Sequence, residues 1–293
     1  MRVWLLCVAA GGCHLAFGVD TVGPFSPIDA AADAATAPDA PALPPADLDM
    51  DSVPDDQDPC IAPTSDATAD SDGDGALNAS DHCPLVPGGL ATNTDNDDLA
   101  DACDPHPGIH DTLRCVMAFT SSNLNDRLWQ PVSSVLPFAH AIGKLHCDGG
   151  TSCGTVAAEP VAPPGAAITY EARFQLSTLS QAGGVAIWPR LDPVNGAGNV
   201  GCGYIDDAGQ YYVTLLNGAA ILQRKPTQAI VFPPLYLRAS VSGSTVTCNA
   251  SFNGTYDGAT EVTAVATVGT GNLGFTSATW TTDLLGLEII STP

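Results

Sequence analysis

Residues 168–176 read ITYEARFQL, which sets Ile168, Tyr170, Ala172, Phe174 and Leu176 on one face and Thr169, Glu171, Arg173 and Gln175 on the other. Strict alternation of apolar and polar side chains is the pattern of a β-strand with one buried face. Outward from it follow GGVAIWPRL, QYYVTLLNG, AAILQRK, YLRASVSG, STVTCNASF, TEVTAVATVG and LLGLEIIST, separated by Gly, Asn, Asp and Pro. None carries a helical stripe. Many short strands with regular turn signals predict an all-β domain over residues 112–293, an antiparallel sandwich or barrel. Cys202 and Cys248 lie within strand-like segments and are expected to join two strands. Cys147 and Cys153 enclose a short loop in HCDGGTSC and read as a local clip; a metal site there would need two further soft ligands, and none is apparent.

Upstream the chemistry changes. Residues 70–81 read DSDGDGALNASD and residues 93–104 read NTDNDDLADACD. Asp70, Asp72, Asp74, Asn78 and Asp81 stand at positions 1, 3, 5, 9 and 12 of the first window, with the Ala76 carbonyl at position 7. Asn93, Asp95, Asp97, Asp101 and Asp104 repeat the register in the second, with the Leu99 carbonyl at position 7. Hard oxygen ligands at this spacing suit Ca2+, which takes six to eight oxygens in a flexible shell. Gly75 suits the sharp bend, and Asp98 in its place should accept a left-handed backbone better than most residues. Pro84, Pro87, Pro105 and Pro107 leave no room for flanking helices, so this is not an EF-hand pair. A merely acidic linker would explain the charge but not two registers of ligands. His82, His106 and His110 read as surface residues, because a zinc site among hard oxygens is poorly matched.

DSDGDGALNASDHCP followed by NTDNDDLADACD resembles the thrombospondin type 3 repeat, in which calcium ions organise a disulfide-linked chain with little apolar core. The resemblance implies that the ligands above serve two ions. It also implies bridges among Cys60, Cys83, Cys103 and Cys115, for which three pairings are open; Cys60 with Cys83 and Cys103 with Cys115 is favoured, and Cys83 with Cys103 is close behind. The order of features after residue 112 resembles the laminin-G/concanavalin-like jelly roll found beyond such repeats in exported proteins of myxobacteria and their relatives. That resemblance implies a sandwich binding glycans or protein surfaces, although other members are hydrolases.

The chain has 293 residues, with 32 acidic and 9 basic side chains. No Lys or Arg occurs between Arg2 and Arg114. That half has nothing with which to neutralise phosphate, so nucleic acid is excluded as its partner. Ten cysteines point to an oxidising compartment. Arg2, the short apolar run Val3 to Ala10, and Ala10-Gly11-Gly12-Cys13 resemble a bacterial lipoprotein export signal within residues 1–18, with Cys13 lipidated. Cleavage after Gly18 is the competing expectation. The product is thus expected to be exported, as an outer-membrane lipoprotein or an extracellular protein that meets a membrane only through its lipid. Residues 19–59, rich in Ala, Pro and Asp, lack the apolar content to offset ordering entropy and are expected to form a disordered tether. The expected order is therefore export signal, tether, calcium-wrapped repeat over 60–111, and jelly-roll sandwich over 112–293.

A glycosidase of concanavalin-like fold needs two carboxylates flanking the scissile bond. No strand carries a paired set: Glu159, Glu171, Glu261 and Glu288 stand isolated in the sequence. Asp206-Asp207 reads as a hairpin, and no Gly-x-Ser-x-Gly elbow occurs. The expectation is therefore a non-catalytic, calcium-binding adhesion or recognition protein whose partner is a polysaccharide, an envelope glycan or an extracellular protein. An extracellular polysaccharide hydrolase and a purely structural envelope protein are the alternatives. Trp188, Tyr211 and Tyr212 are the candidate ligand face, weighed against roles in the core, and Tyr204 and Tyr236 are further candidates for it.

Overall fold

A computed structural model describes residues 47, 52, 54, 60, 64–88, 92–121, 129–132, 136, 138–149, 152–157, 166–178, 182–191, 199–218, 220–228, 234–256, 258–268 and 272–293. The expected export signal, Cys13 and nearly all of the expected tether lie outside the described residues. Among the described residues no helix is long and apolar enough to cross a membrane. Residues Pro45–Pro293 form one compact unit.

The architecture is an all-β sandwich of two open sheets, not a barrel. One sheet contains β1 (Thr112–Met117), β3 (Ala139–Ala141), β4 (Lys144–Cys147), β6 (Ala167–Thr178), β11 (Leu235–Ser242), β12 (Thr245–Ser251), β13 (Val262–Val265) and β15 (Thr281–Thr292). Its order is β13-β12-β11-β6-β15-β4-β3, with β1 also paired to β15. The other contains β2 (Gln130–Pro131), β5 (Ser152–Ala157), β7 (Gly184–Leu191), β8 (Val200–Asp207), β9 (Gln210–Asn217), β10 (Ala220–Thr227) and β14 (Asn272–Ala278), in the order β10-β9-β8-β7-β14-β5-β2. Neighbours pair antiparallel, and β6 and β15 run side by side along nearly their whole length. The segments read as strands from their alternation are strands. The glycine-bearing approach to the last strand adds β14, which lies between β7 and β5.

The alternation in β6 correctly sorts its inner face. Ile168, Tyr170, Ala172, Phe174 and Leu176 are all buried in the main core, where Phe174 meets Phe275 edge-on at 6.1 Å between ring centroids. Two bridges tie the sheets together: Cys202–Cys248 links β8 to β12, and Cys147–Cys153 links β4 to β5. Each large apolar side chain taken from water into such a core stabilises it by about 1.5–3 kcal/mol.

The outer face of the same strand departs from expectation. Glu171 is wholly buried, because residues 64–88 and 92–111 lie across the outer face of β11, β6 and β15. Among its described residues this acidic segment contains two short 3-10 turns, Thr64–Thr68 and Asn78–Ser80, and no other helix or strand. It nevertheless brings an apolar patch of its own. Cys83, Leu85, Val86, Leu99, Ala100 and Cys103 bury against Tyr236 of β11 and Ile290 of β15. Leu85 sits over Gly286 so closely that a Cβ there would lie 2.4 Å from Leu85 Cδ2.

The bridges among Cys60, Cys83, Cys103 and Cys115 differ from the favoured pairing. Cys60 joins Cys115, and Cys83 joins Cys103; neither Cys60–Cys83 nor Cys103–Cys115 forms. The segment folds back along the sheet, so its start lies beside β1 rather than beside the first loop. Asp66 marks the same approach, accepting hydrogen bonds from the amides of Ala118 and Thr120 and from the Thr120 hydroxyl.

Candidate metal centres and the covered sheet face

The two acidic windows fold alike, and the likeness is visible bond by bond. At position 9, the Asn78 amide donates to the Ala69 carbonyl and the Asp101 amide to that of Thr92, both at 2.8 Å. The same residues' side-chain oxygens accept from the position 2 amides, Ser71 N to Asn78 Oδ1 at 3.1 Å and Thr94 N to Asp101 Oδ1 at 2.7 Å. At position 5, Asp74 accepts from Ala76 N at 2.8 Å and Asp97 from Leu99 N at 2.6 Å. At position 12, Asp81 accepts from Cys83 N at 2.8 Å and Asp104 from His106 N at 2.6 Å. Aspartate binding a backbone amide two residues on is the Asx-turn, and it curls each window so that alternate carboxylates converge.

Convergence yields two groups. Asp70, Asp72 and Asp74 each place an oxygen within 4.8 Å of the others, and so do Asp95, Asp97 and Asp104. Either group could hold a divalent metal ion. Asp81 lies outside the first group but near enough that the charges of Asp74 and Asp70 add to burial in raising its pKa. Asn78 is buried, its Nδ2 donating to the Asp66 carbonyl at 2.7 Å and to Ser71 Oγ at 2.9 Å. Asn93 bonds with both backbone groups of Asp97. Asp101 is held by the Thr94 amide and hydroxyl, which lower its pKa. Ala76 is half-buried, and the Leu99 side chain belongs to the apolar patch on the sheet. The left-handed residues are Gly73 and Gly75 in the first window and Asn96 in the second; Asp98, expected to be left-handed, has no positive φ.

The donor set fits a hard cation. Asp72 and Asp104 are 8% and 5% exposed, and the Oδ2 atom of each is buried without a hydrogen-bond partner. Burial, with the charges of Asp74, Asp81 and Asp70 in support, pushes Asp72 up to about 6. Burial, with those of Asp97, Asp111 and Asp95, pushes Asp104 up to about 6. A buried, unpartnered carboxylate oxygen beside like charges is costly, and a cation between the carboxylates removes that cost.

Beneath the loops a charged row crosses the sheet. Glu288 of β15, Glu171 of β6, Arg238 of β11 and Asn249 of β12 are successive Cα partners. The carboxylates isolated in the sequence are thus neighbours in space. Arg238 pairs with Glu171 at 2.8 Å and lies 3.8 Å over the Tyr256 ring. It also donates to the carbonyls of Cys103 and Asp104, at the end of the second window. Glu288 accepts from the Leu85 amide at 3.0 Å, and Arg173 donates to the Ser71 carbonyl, inside the first window, at 2.5 Å. Burial raises the pKa of Glu171 against the pull of Arg238, and burial together with the charge of Glu171 raises that of Glu288 well above the usual range. Spacing within one strand gives no sign of this row, since cross-strand register creates it.

The aromatic candidates are dispersed. Trp188 is on the outer side of the other sheet in a small apolar cluster with Ala186 and Leu191, donating to Thr276 Oγ1 at 2.8 Å. Tyr211 is half-buried and stacks on Tyr204 at 5.7 Å, whereas half-buried Tyr212 lies beneath Arg224 at 4.4 Å. Tyr204 and Tyr236 are buried and offer no platform. The structure therefore does not bring Trp188, Tyr211 and Tyr212 together as one exposed surface.

No protein-family model matches the sequence, and no curated protein does. Among solved structures, the chain is similar to the CBM2 module of the Lactobacillus casei BL23 phage J-1 evolved Dit, at 12% identity and a TM-score of 0.43, covering 60% of this chain and 94% of that one. It is similar to the carbohydrate-binding module CBM66 from Bacillus subtilis at 16% identity and a TM-score of 0.39, covering 53% and 91%. A GH43 protein from Bacillus licheniformis matches at 13% identity and a TM-score of 0.42, over 60% of this chain but 39% of its own length.

Proposed function

We propose that this protein is an exported, calcium-binding, non-catalytic recognition module, in which Ca2+ fixes the acidic segment onto a glycan-binding jelly-roll sandwich. One observation carries the calcium reading: two windows with the same hydrogen-bond pattern each leave a buried, unpartnered aspartate oxygen, Asp72 Oδ2 and Asp104 Oδ2, within a carboxylate group. All the donors are hard oxygens, which favours Ca2+ over zinc, and the irregular loop suits its flexible shell better than the strict octahedron of Mg2+. On the same ground we read the segment as a thrombospondin type 3-like repeat. Bound Ca2+ would supply positive charge; the chain's own residues turn the windows, bury their apolar edges and anchor them through Arg173 and Arg238.

The non-catalytic part of the proposal is supported by Glu171 and Glu288. They are the adjacent pair of buried glutamates on the sheet, and both are sealed beneath the segment and committed to Arg238 and the Leu85 amide. Export is supported by four disulfides, which persist in oxidising compartments; lipidation at Cys13, with an outer-membrane or extracellular location, belongs to the same proposal. Calcium titration calorimetry on the full chain, followed by a glycan array and a reducing-end assay with Ca2+ present, tests the reading. Saturable calcium binding and glycan retention without product are expected. Product formation overturns the non-catalytic assignment, and binding no tighter than several millimolar, on the order of −3 kcal/mol, overturns the calcium one.

A further inference from the structure

We propose that the cleft between the second acidic window and the outer face of β11 and β12 binds one neutral, polyhydroxylated sugar ring. The inference rests on the glycan reading above and gives it a location away from the aromatic residues. The acidic segment is bonded to the sheet at Arg238, and its residues from Asp101 to Pro107 wall a cleft whose floor is the next row of the sheet, Ser240 and Thr247. The resulting cleft has a volume of about 390 Å³, the size of a small-molecule pocket.

Its floor is built for hydroxyl groups. Ser240 and Thr247 are Cα partners, each with its hydroxyl paired to a flanking one, to Thr169 at 2.8 Å and to Thr263 at 3.1 Å. A hydroxyl in such a pair retains further hydrogen-bonding capacity. Asn249 uses its carboxamide oxygen to accept from the Ala250 amide at 2.8 Å and shares the single proton of the Thr260 hydroxyl with the Ala250 carbonyl, an orientation that turns its NH2 toward a ligand. Asp101 and Glu261 stand on the walls as acceptors. Donors on the floor and acceptors on the walls match the alternating needs of ring hydroxyls.

The charge of the lining rejects anions. Arg238 is the one Lys or Arg among the described lining residues, and it is already bound to Glu171 and to the Cys103 and Asp104 carbonyls. Asp101 and Glu261, which lie outside the metal group, then repel phosphate, sulfate or a uronate. One wall, Asp101 to Pro107, continues from the second metal group, so occupancy of that group holds the cleft in shape and sugar binding follows calcium.

The test is calorimetry and saturation-transfer NMR on the full chain with saturating Ca2+, using glucose, galactose, mannose and glucuronate. Thr247→Lys and, on an exposed turn, Glu261→Arg fill the cleft; Gln210→Ala, exposed on the other sheet, is the control. At least one neutral hexose is expected to bind with Kd on the order of millimolar, weakened about tenfold or more by either filling variant, unchanged by Gln210→Ala and abolished by EGTA, while glucuronate does not bind. Hexose binding that both folded filling variants leave intact overturns the cleft but keeps the glycan reading. Glucuronate binding overturns the charge argument and with it the proposal. Absence of any hexose binding overturns the cleft, and a silent glycan array alongside it overturns the glycan reading as well.

Discussion

Glu171 of β6 and Glu288 of β15 are Cα partners on the outer face of the sandwich, and both side chains are buried beneath the Leu85 segment. One arginine, Arg238, stands beside two carboxylates. A carboxylate whose folded pKa is raised holds its proton more tightly in the native state. Its contribution is complete below the ordinary pKa of 4.5 and is lost as pH rises through the folded value. Glu288→Gln keeps an oxygen for the Leu85 amide and removes the second charge. Its stability at pH 8 should exceed that of the parent by about 1 kcal/mol or more, and its melting temperature should change less between pH 5 and 8. Thermal melts across that range check it; a variant less stable than the parent at pH 8 contradicts the like-charge account.

Arg238→Met strips Glu171 of its partner and leaves the Cys103 and Asp104 carbonyls without their donor. Removing one member of a buried pair costs about 3–5 kcal/mol. Pairing Arg238→Met with Glu171→Gln should recover a substantial part of that loss, as a double-mutant cycle in denaturant unfolding will read.

Calcium and protons should compete at the two windows. Asp72 and Asp104, each raised from 3.8 to about 6 by burial, must be ionised to bind the cation. Without calcium, the stability these groups contribute is present below pH 3.8 and lost as pH rises through about 6, so chelated protein should melt higher at pH 5 than at pH 7. With saturating calcium the order should reverse, because the ion stabilises the state it binds. Differential scanning calorimetry at both pH values, with EGTA and with Ca2+, reads the crossing.

Leu85→Ala removes the apolar side chain seated over Gly286. A loss of about 2–5 kcal/mol is expected for a buried leucine. Because the contact joins segment to sheet, limited proteolysis should cut within residues 64–111 before the sandwich strands. Equal resistance in variant and parent counts against Leu85 as the anchor.

Alternation within ITYEARFQL was enough to identify β6 and its inner face, and turn residues between the later apolar runs were enough to anticipate an all-β fold, with sandwich and barrel both open until strand order was known. The acidic windows could likewise be read as candidate ion loops, since Asp72 and Asp104 owe their convergence to Asx-turns formed within a few residues. The destination of Glu171 could not. Period-two spacing assigns a side chain to a face but carries no information on what covers that face.

Local spacing specifies what depends on neighbours along the chain: strand periodicity, the curl of each window, and the Cys147–Cys153 clip, six residues apart. Relationships between distant segments required the folded chain. The Glu288–Glu171–Arg238 row is set by strand order and register, and the Cys60–Cys115 bridge spans 55 residues. The mooring of Arg173 to Ser71 spans 102. Such contacts depend on which surfaces bury most favourably against each other, a balance of long-range burial, register and charge that no single window of sequence contains.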